Sequence, residues 1–214
     1  MSLITALKNF IQHTGCTDYE GLIETPLKGV RIYQSQQLQP RSPLLYNMGI
    51  IIVGQGHKVL YLGDRRIQYD ADNYLVLGAP LPLECEAHAS HEEPFISLLI
   101  DIDMRLLQKL VRQTAAALKP LVHKDHSAKQ LINTTQLSQP MQAAAIRLLE
   151  CLQDPLDTKV LAANIVQELV YRTLLGPSGP IIYGLIHQDG HYRRIVGALN
   201  HLHHHYPHSL TVDQ

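Results

Sequence analysis

The run His57-Lys58-Val59-Leu60-Tyr61-Leu62-Gly63-Asp64-Arg65-Arg66-Ile67-Gln68-Tyr69 decides the class of fold, because two short β-rich segments flank a two-residue turn. Glycine at the first central position of Leu62-Gly63-Asp64-Arg65 suits the positive φ of a type II′ turn, whose twist matches that of the strands it joins. A hairpin of His57–Leu62 with Arg65–Tyr69 is expected. The same texture spreads outward from about Gly29 to Asp103. Val30–Leu38, Leu44–Val53, Tyr74–Leu77, Leu83–Ala89 and Phe95–Ile102 are further candidate strands, divided by turn residues at close intervals. Asp70-Ala71-Asp72-Asn73 reads as a looser turn of the same kind. Strands this short and this closely spaced imply an antiparallel barrel or sandwich.

Alternation indicates which side chains face inward. In Leu83-Glu84-Cys85-Glu86-Ala87-His88 the apolar residues fall at every second place, as in a strand with one wet face. Leu83, Cys85 and Ala87 are expected to point inward. Tyr46, Met48, Ile50 and Ile52 form one apolar register of a second strand, and Ile96, Leu98, Ile100 and Ile102 another. These registers either line a cavity or fill it.

After Asp103 the hydrophobic period changes from two to about 3.6. Asp103 is positioned to cap a helix through Leu106, Leu107, Leu110 and Val111, and Ser138 before Pro140 caps another through Ile146, Leu149 and Leu152. The stretch from Leu118 to Gln136 is polar and poorly periodic, and is expected to be a loop with a short helical turn. Asp157 opens a helix with the stripe Leu161, Ile165, Leu169 and Leu174, flanked by Val166 and Val170. Gly176-Pro177 stops it. A further helix is expected over Ile181–His187, and a long one from about His191 to Tyr206. The chain then closes on Leu210-Thr211-Val212-Asp213-Gln214, a Thr cap with an acidic first turn, so another helix is announced at the end. The expected organisation is an N-terminal helix and linker over 1–28, a β domain over 29–103, a helical region over 104–188 and, over 189–214, the opening of a domain cut short.

Composition narrows the function classes. The 214 residues are 45% hydrophobic and 17% charged, the profile of a globular protein. A formal charge of -1 supplies no field with which to hold nucleic acid by phosphate neutralisation alone. The three cysteines, Cys16, Cys85 and Cys151, are scattered without CxxC spacing, which fits reduced thiols in the cytoplasm. The first twenty residues carry Lys8, His13, Asp18 and Glu20 and no continuous apolar core, unlike a signal peptide. No stretch supplies the ~20 apolar residues of a membrane span.

In their order and spacing, several phrases resemble the AraC-type transcriptional regulators, in particular those with a cupin-like N-terminal region. They are Leu45-Tyr46-Asn47, Ile50 to Lys58, Leu62-Gly63-Asp64, Tyr69-Asp70-Ala71, Tyr74-Leu75-Val76, Leu81-Pro82, Glu93-Pro94-Phe95, Leu98 to Asp103, Glu168 to Pro177 with Gly179, and Ile195 to Gln214. The resemblance implies an α+β fold: a cupin-like antiparallel β-barrel that senses a small molecule or stays ligand-free, followed by helices that make a homodimer. It also implies a C-terminal pair of helix-turn-helix units reading DNA in the major groove, of which this chain would hold only the opening.

Tyr46, Met48, Ile50, Tyr61, Tyr74, Leu83, Cys85 and Leu98 are the candidate lining of the barrel. Tyrosine hydroxyls are the polar handles in that set, so an apolar or aromatic effector is expected rather than a sugar. Arg193 and Arg194, early in the last long helix, are candidates for DNA backbone contact in a full-length protein. Neither a cofactor nor a metal is expected. His57-Lys58-Val59 lacks the second His of an inward His-x-His pair, His88-Ala89-Ser90-His91-Glu92 lacks HExxH spacing, and His201 to His205 reads as solvated helix surface. No catalytic residue is assigned either, since Cys85 has no adjacent base and Asp103 is needed as a cap. The alternatives from other classes are a metal-dependent cupin-like enzyme and a ligand-free oligomerisation scaffold.

Overall fold

The computed structural model describes residues 1–79, 81–118 and 131–187. The expected helix from His191, the His201–His205 cluster, Arg193, Arg194 and the closing Thr211 cap lie outside the described residues. Among the described residues ten strands form two antiparallel sheets: β1 (Gly21–Glu24), β2 (Val30–Ser35), β3 (Gln39–Tyr46), β4 (Gly49–Gln55), β5 (His57–Leu62), β6 (Arg65–Asp70), β7 (Asn73–Leu77), β8 (Leu81–His88), β9 (Phe95–Asp101) and β10 (Ile132–Gln136). The order is β1-β2-β9-β4-β7-β10 in the larger sheet and β3-β8-β5-β6 in the smaller. Six helices among the described residues complete the order: α1 (Leu3–His13), α2 (Met104–Leu118), α3 (Gln139–Cys151), α4 (Pro155–Asp157), α5 (Ala163–Leu175) and α6 (Gly179–His187). A π-helical turn, Thr158–Ala162, joins α4 to α5.

The hairpin forms as expected, with Leu62 opposite Arg65 and Gly63 at φ 57°. Asp70–Asn73 does not make a second one. Its Asp70 carboxylate accepts from the Asp72 amide and the Asn73 side chain, and the turn carries the chain from the smaller sheet into the larger. Gly56, at φ 78°, makes the opposite crossing between β4 and β5.

Leu44–Val53 is likewise not one strand. The chain leaves β3 at Tyr46, turns through Asn47 and Met48, and re-enters the other sheet at Gly49. A Cβ at Gly49 would stand 2.6 Å from the Ile100 carbonyl oxygen, so the close approach of β4 to β9 requires glycine there. The residues upstream of Leu44 join β3 despite Pro40 and Pro43, because β3 is an edge strand whose missing amides leave no ladder incomplete. The polar Ile132–Gln136 pairs with β7 as an edge strand rather than looping.

The larger sheet is apolar on both sides. Val30, Ile32, Ile50, Ile52, Tyr74, Val76, Leu98 and Ile100 form one core with the helices; Ile51, Val53, Leu75, Leu77 and Phe95 form another with the smaller sheet. α1 is N-capped by Ser2 and buries Leu3, Ala6, Leu7, Phe10 and Ile11, an i, i+3, i+4, i+7, i+8 stripe. It packs on β4, β9 and α3. Asp103 and Ser138 cap their helices as expected, accepting from the Leu106 amide at 2.8 Å and the Met141 amide at 3.4 Å. The next cap is Asp154 rather than Asp157, accepting from the amides of Leu156 and Asp157. The π-helical turn then rotates the expected stripe: Leu161 is 45% exposed while Leu169, Val170 and Leu174 are buried. Glu168 ties α5 to α3 through Arg147 and to its own next turn through Arg172.

Gly49→Ala should destabilise the fold by about 1–3 kcal/mol, because the added methyl meets backbone that cannot swing aside. Urea denaturation measures it, and an unchanged midpoint would show that β4 can move away from β9.

Candidate functional site

Between the sheets lies an interior to which both contribute. Arg31 and Tyr33 of β2, Ile51 of β4, and Phe95, Ser97, Leu99 and Asp101 of β9 face it from one side; Tyr46 of β3, Lys58 of β5 and Tyr69 of β6 line it from the other. Two-residue periodicity places these side chains here and their sequence neighbours on the opposite faces. The interior keeps a cavity of about 120 Å³. An apolar cavity of ~150 Å³ accommodates benzene, whereas drug-sized sites start at ~300 Å³, so the space suits one ring-sized molecule. Leu22 and Leu44, 43% and 44% exposed, also line it and mark its open side.

The polar groups of the interior are few. Lys58 is 3% exposed, and its Nζ lies 3.6 Å from the centre of the Tyr33 ring and 4.7 Å from that of Phe95. Burial lowers its pKa to about 8, because the charged form is the one that loses hydration. The Tyr46 hydroxyl lies 3.1 Å from that of Tyr69 and 3.4 Å from Cys85 Sγ. Burial raises both tyrosines well above their ordinary range and raises the Cys85 thiol as well, so all three are neutral. Arg31 donates to Asp101 at 2.5 Å, while its Nε is buried without a hydrogen-bond partner. Asp101 titrates above its ordinary range through burial, against the pull of Arg31.

The eight residues expected from the sequence to line the barrel are divided by the structure. Tyr46, Leu83 and Cys85 come together between the sheets. Met48, Ile50, Tyr74 and Leu98 belong to the core between the larger sheet and the helices. The reason is the turn at Asn47-Met48, which breaks the alternation running from Tyr46 to Ile52, so that Ile51, not Ile50, continues the inward face. Ile50 still borders the cavity. Tyr74 faces Thr135 and Ser178, which offset part of the rise that burial gives its pKa, while Tyr61 lies on the outer face of the smaller sheet beneath the Arg41 guanidinium, 4.0 Å from its ring centre. Sequence reasoning missed Lys58, Arg31 and Tyr33. Alternation could have found Lys58, since it stands one place from Val59 and two from Leu60 in a hairpin whose inward register includes Tyr69.

His57 and His88 stack with ring centres 4.5 Å apart, and His88 Nε2 lies 2.8 Å from Glu86, which lowers the Glu86 pKa. Among the described residues no group of three or more His, Cys, Asp or Glu is placed to hold a metal ion. No helix among them is long and apolar enough to cross a membrane.

The structure is thus a β container with a small internal cavity, backed on one side by a helical layer. The profile described as AraC-type transcriptional regulator N-terminus matches residues 26–181, and the chain belongs to that family. It is the regulatory part of an AraC-type regulator. No curated protein sequence matches the chain. Among solved structures, the chain is similar to apo ToxT of Vibrio cholerae at 7% identity and a TM-score of 0.45, covering 83% of this chain and 72% of that one. It is similar to ToxT bound to (E)-4-(8-methylnaphthalen-1-yl)but-3-enoic acid at 10% identity and 0.47, covering 80% and 70%. The AraC-like transcriptional activator CuxR is similar at 12% identity and 0.33, covering 86% and 63%.

Lys58 gives up its proton more readily in the folded chain, so from about pH 8 toward 10.5 the unfolded chain binds more protons and this residue's contribution to stability rises with pH. Lys58→Met, which removes the buried charge, should therefore gain most over the natural chain at about pH 7, with the difference shrinking toward about pH 9.5. Denaturant titrations of both proteins at each pH measure it, and a difference that grows with pH would contradict a buried cation.

Proposed function

We propose that a small, mainly apolar molecule enters the cavity between the sheets and that its binding biases the arrangement of helices α2 to α6, acting as the signal to a DNA-binding unit. One observation carries this reading: the larger sheet meets the cavity with one face and the helices with the other. In β2, β4 and β9 the cavity residues Tyr33, Ile51 and Leu99 alternate with Ile32, Ile50 and Leu98 of the helix-facing core. A ligand that shifts those strands acts on both cores at once, and coupling needs only that it bind one arrangement better than the other.

The same reading includes a homodimer and no enzymatic step. Exposed Leu156, Val160, Leu161, Tyr171 and Leu175 along α4 to α5 supply an apolar strip for a second copy. DNA contact through residues after the helical layer, with Arg193 and Arg194 on the phosphate backbone, rests on the sequence and on family membership.

Ring-sized apolar compounds should raise the melting temperature, and Leu99→Trp, which fills the cavity from its wall, should abolish that shift. Amide hydrogen exchange on the bound form should slow in α2 and α5 as well as in the strands. Protection confined to the strands would leave a container without an output and overturn the regulatory coupling.

A further inference from the structure

Lys58 is the group that the fold leaves unexplained. An ammonium carries three N–H donors, yet among the described residues no acceptor meets Nζ; only the Tyr33 and Phe95 ring faces do. Such ring contacts recover less than the desolvation of an ammonium costs. Methionine or leucine would fill this position between Ala87 and Tyr69, its paired neighbours on β8 and β6, without that penalty. The cation stands at the wall of a cavity that Arg31 also lines. The Arg31 charge is already matched by Asp101, which leaves Lys58 as the unmatched one.

From this placement we infer that the cavity selects a ring-sized apolar molecule bearing one carboxylate, with the acid group on Lys58 Nζ and the apolar body toward Leu22 and Leu44. The inference rests on the cavity being the effector site and deepens that reading by naming the ligand's charge and orientation. An anion supplies the missing acceptor and turns an unpaired buried charge into a paired one. A neutral ligand of the same shape leaves the ammonium as it was, and a cation repels it. The two exposed leucines suit the apolar end because they form the open side. Tyr33, Phe95 and Tyr69 supply flat walls.

Benzoate, benzyl alcohol and benzylamine share one ring and differ in charge, so calorimetric titration of each into the natural chain tests the assignment. At neutral pH benzoate should bind about tenfold or more tighter than benzyl alcohol, the ratio that a single charge-assisted hydrogen bond supplies, and benzylamine should not bind. Lys58→Met should erase the benzoate preference while keeping benzyl alcohol binding. Should that variant fail to fold, the natural chain still decides through pH. Benzoate affinity should be flat to about pH 8 and fall about tenfold per unit above it, with benzyl alcohol unaffected. The other groups facing Lys58 are Tyr46, Tyr69, Tyr33 and Cys85, all shifted upward by burial, and the Arg31–Asp101 pair, so Lys58 is the one that changes charge in that range. Equal affinity for benzoate and benzyl alcohol, or a flat pH profile for benzoate, would overturn the acid preference and leave the cavity as an effector site. Binding of none of the three would overturn both.

Discussion

The two-sided burial of the larger sheet is the constraint on which the rest depends. Its central strand β4 reads Gly49-Ile50-Ile51-Ile52-Val53, and neither of its faces can be left to water. Fully burying one such side chain is worth about 1.5–3 kcal/mol, so a sheet with four strands of this kind requires a cover on each side. The smaller sheet covers one face and the helices the other. Placing a container and a helical layer on opposite sides of one shared wall is thus a consequence of hydrophobic burial in β2, β9, β4 and β7.

That shared wall also explains why the interior can be both packed and responsive. Cores transmit displacement because they are close-packed and relax only in discrete steps. Here the inter-sheet interior is filled at Val53, Leu60, Leu75, Leu77 and Leu83 and opens to a cavity around Lys58, Tyr33 and Leu99. On the other face Gly54 lets α1 approach closely, since a Cβ there would stand 2.2 Å from Leu7 Cδ1. The helices are bound to the sheet and to one another by apolar contact, and α3 and α5 also by the Arg147–Glu168 ion pair. Movement of the wall is therefore shared among several elements.

The interior polar groups oppose stability, as functional groups in a core commonly do. Lys58 loses hydration without gaining an acceptor among the described residues, and burial keeps Tyr46, Tyr69 and Cys85 neutral. An apolar replacement at each would make a better core and an emptier site. The division of labour along β5 shows this directly: Leu60 fills the core, while Lys58, two residues away on the same face, contributes a charge to the cavity.

The sequence by itself determined the elements whose causes are local. The Gly63 hairpin, the Asp103 and Ser138 caps and the inward face Leu83-Cys85-Ala87 were all legible, because each depends on residues within one turn or one strand. The order of phrases was enough to indicate the family. Only the tertiary structure decided which sheet each strand joins and so which face of β4, β7 and β9 is inside. A sheet apolar on both faces carries no alternation to read, and a turn such as Asn47-Met48 reverses the register without an apolar or polar signal of its own. For the same reason Met48, Tyr74 and Leu98 could not be told from cavity residues. A buried cation such as Lys58 looks like any surface lysine until the strands on either side enclose it, because its burial comes from residues far away in sequence.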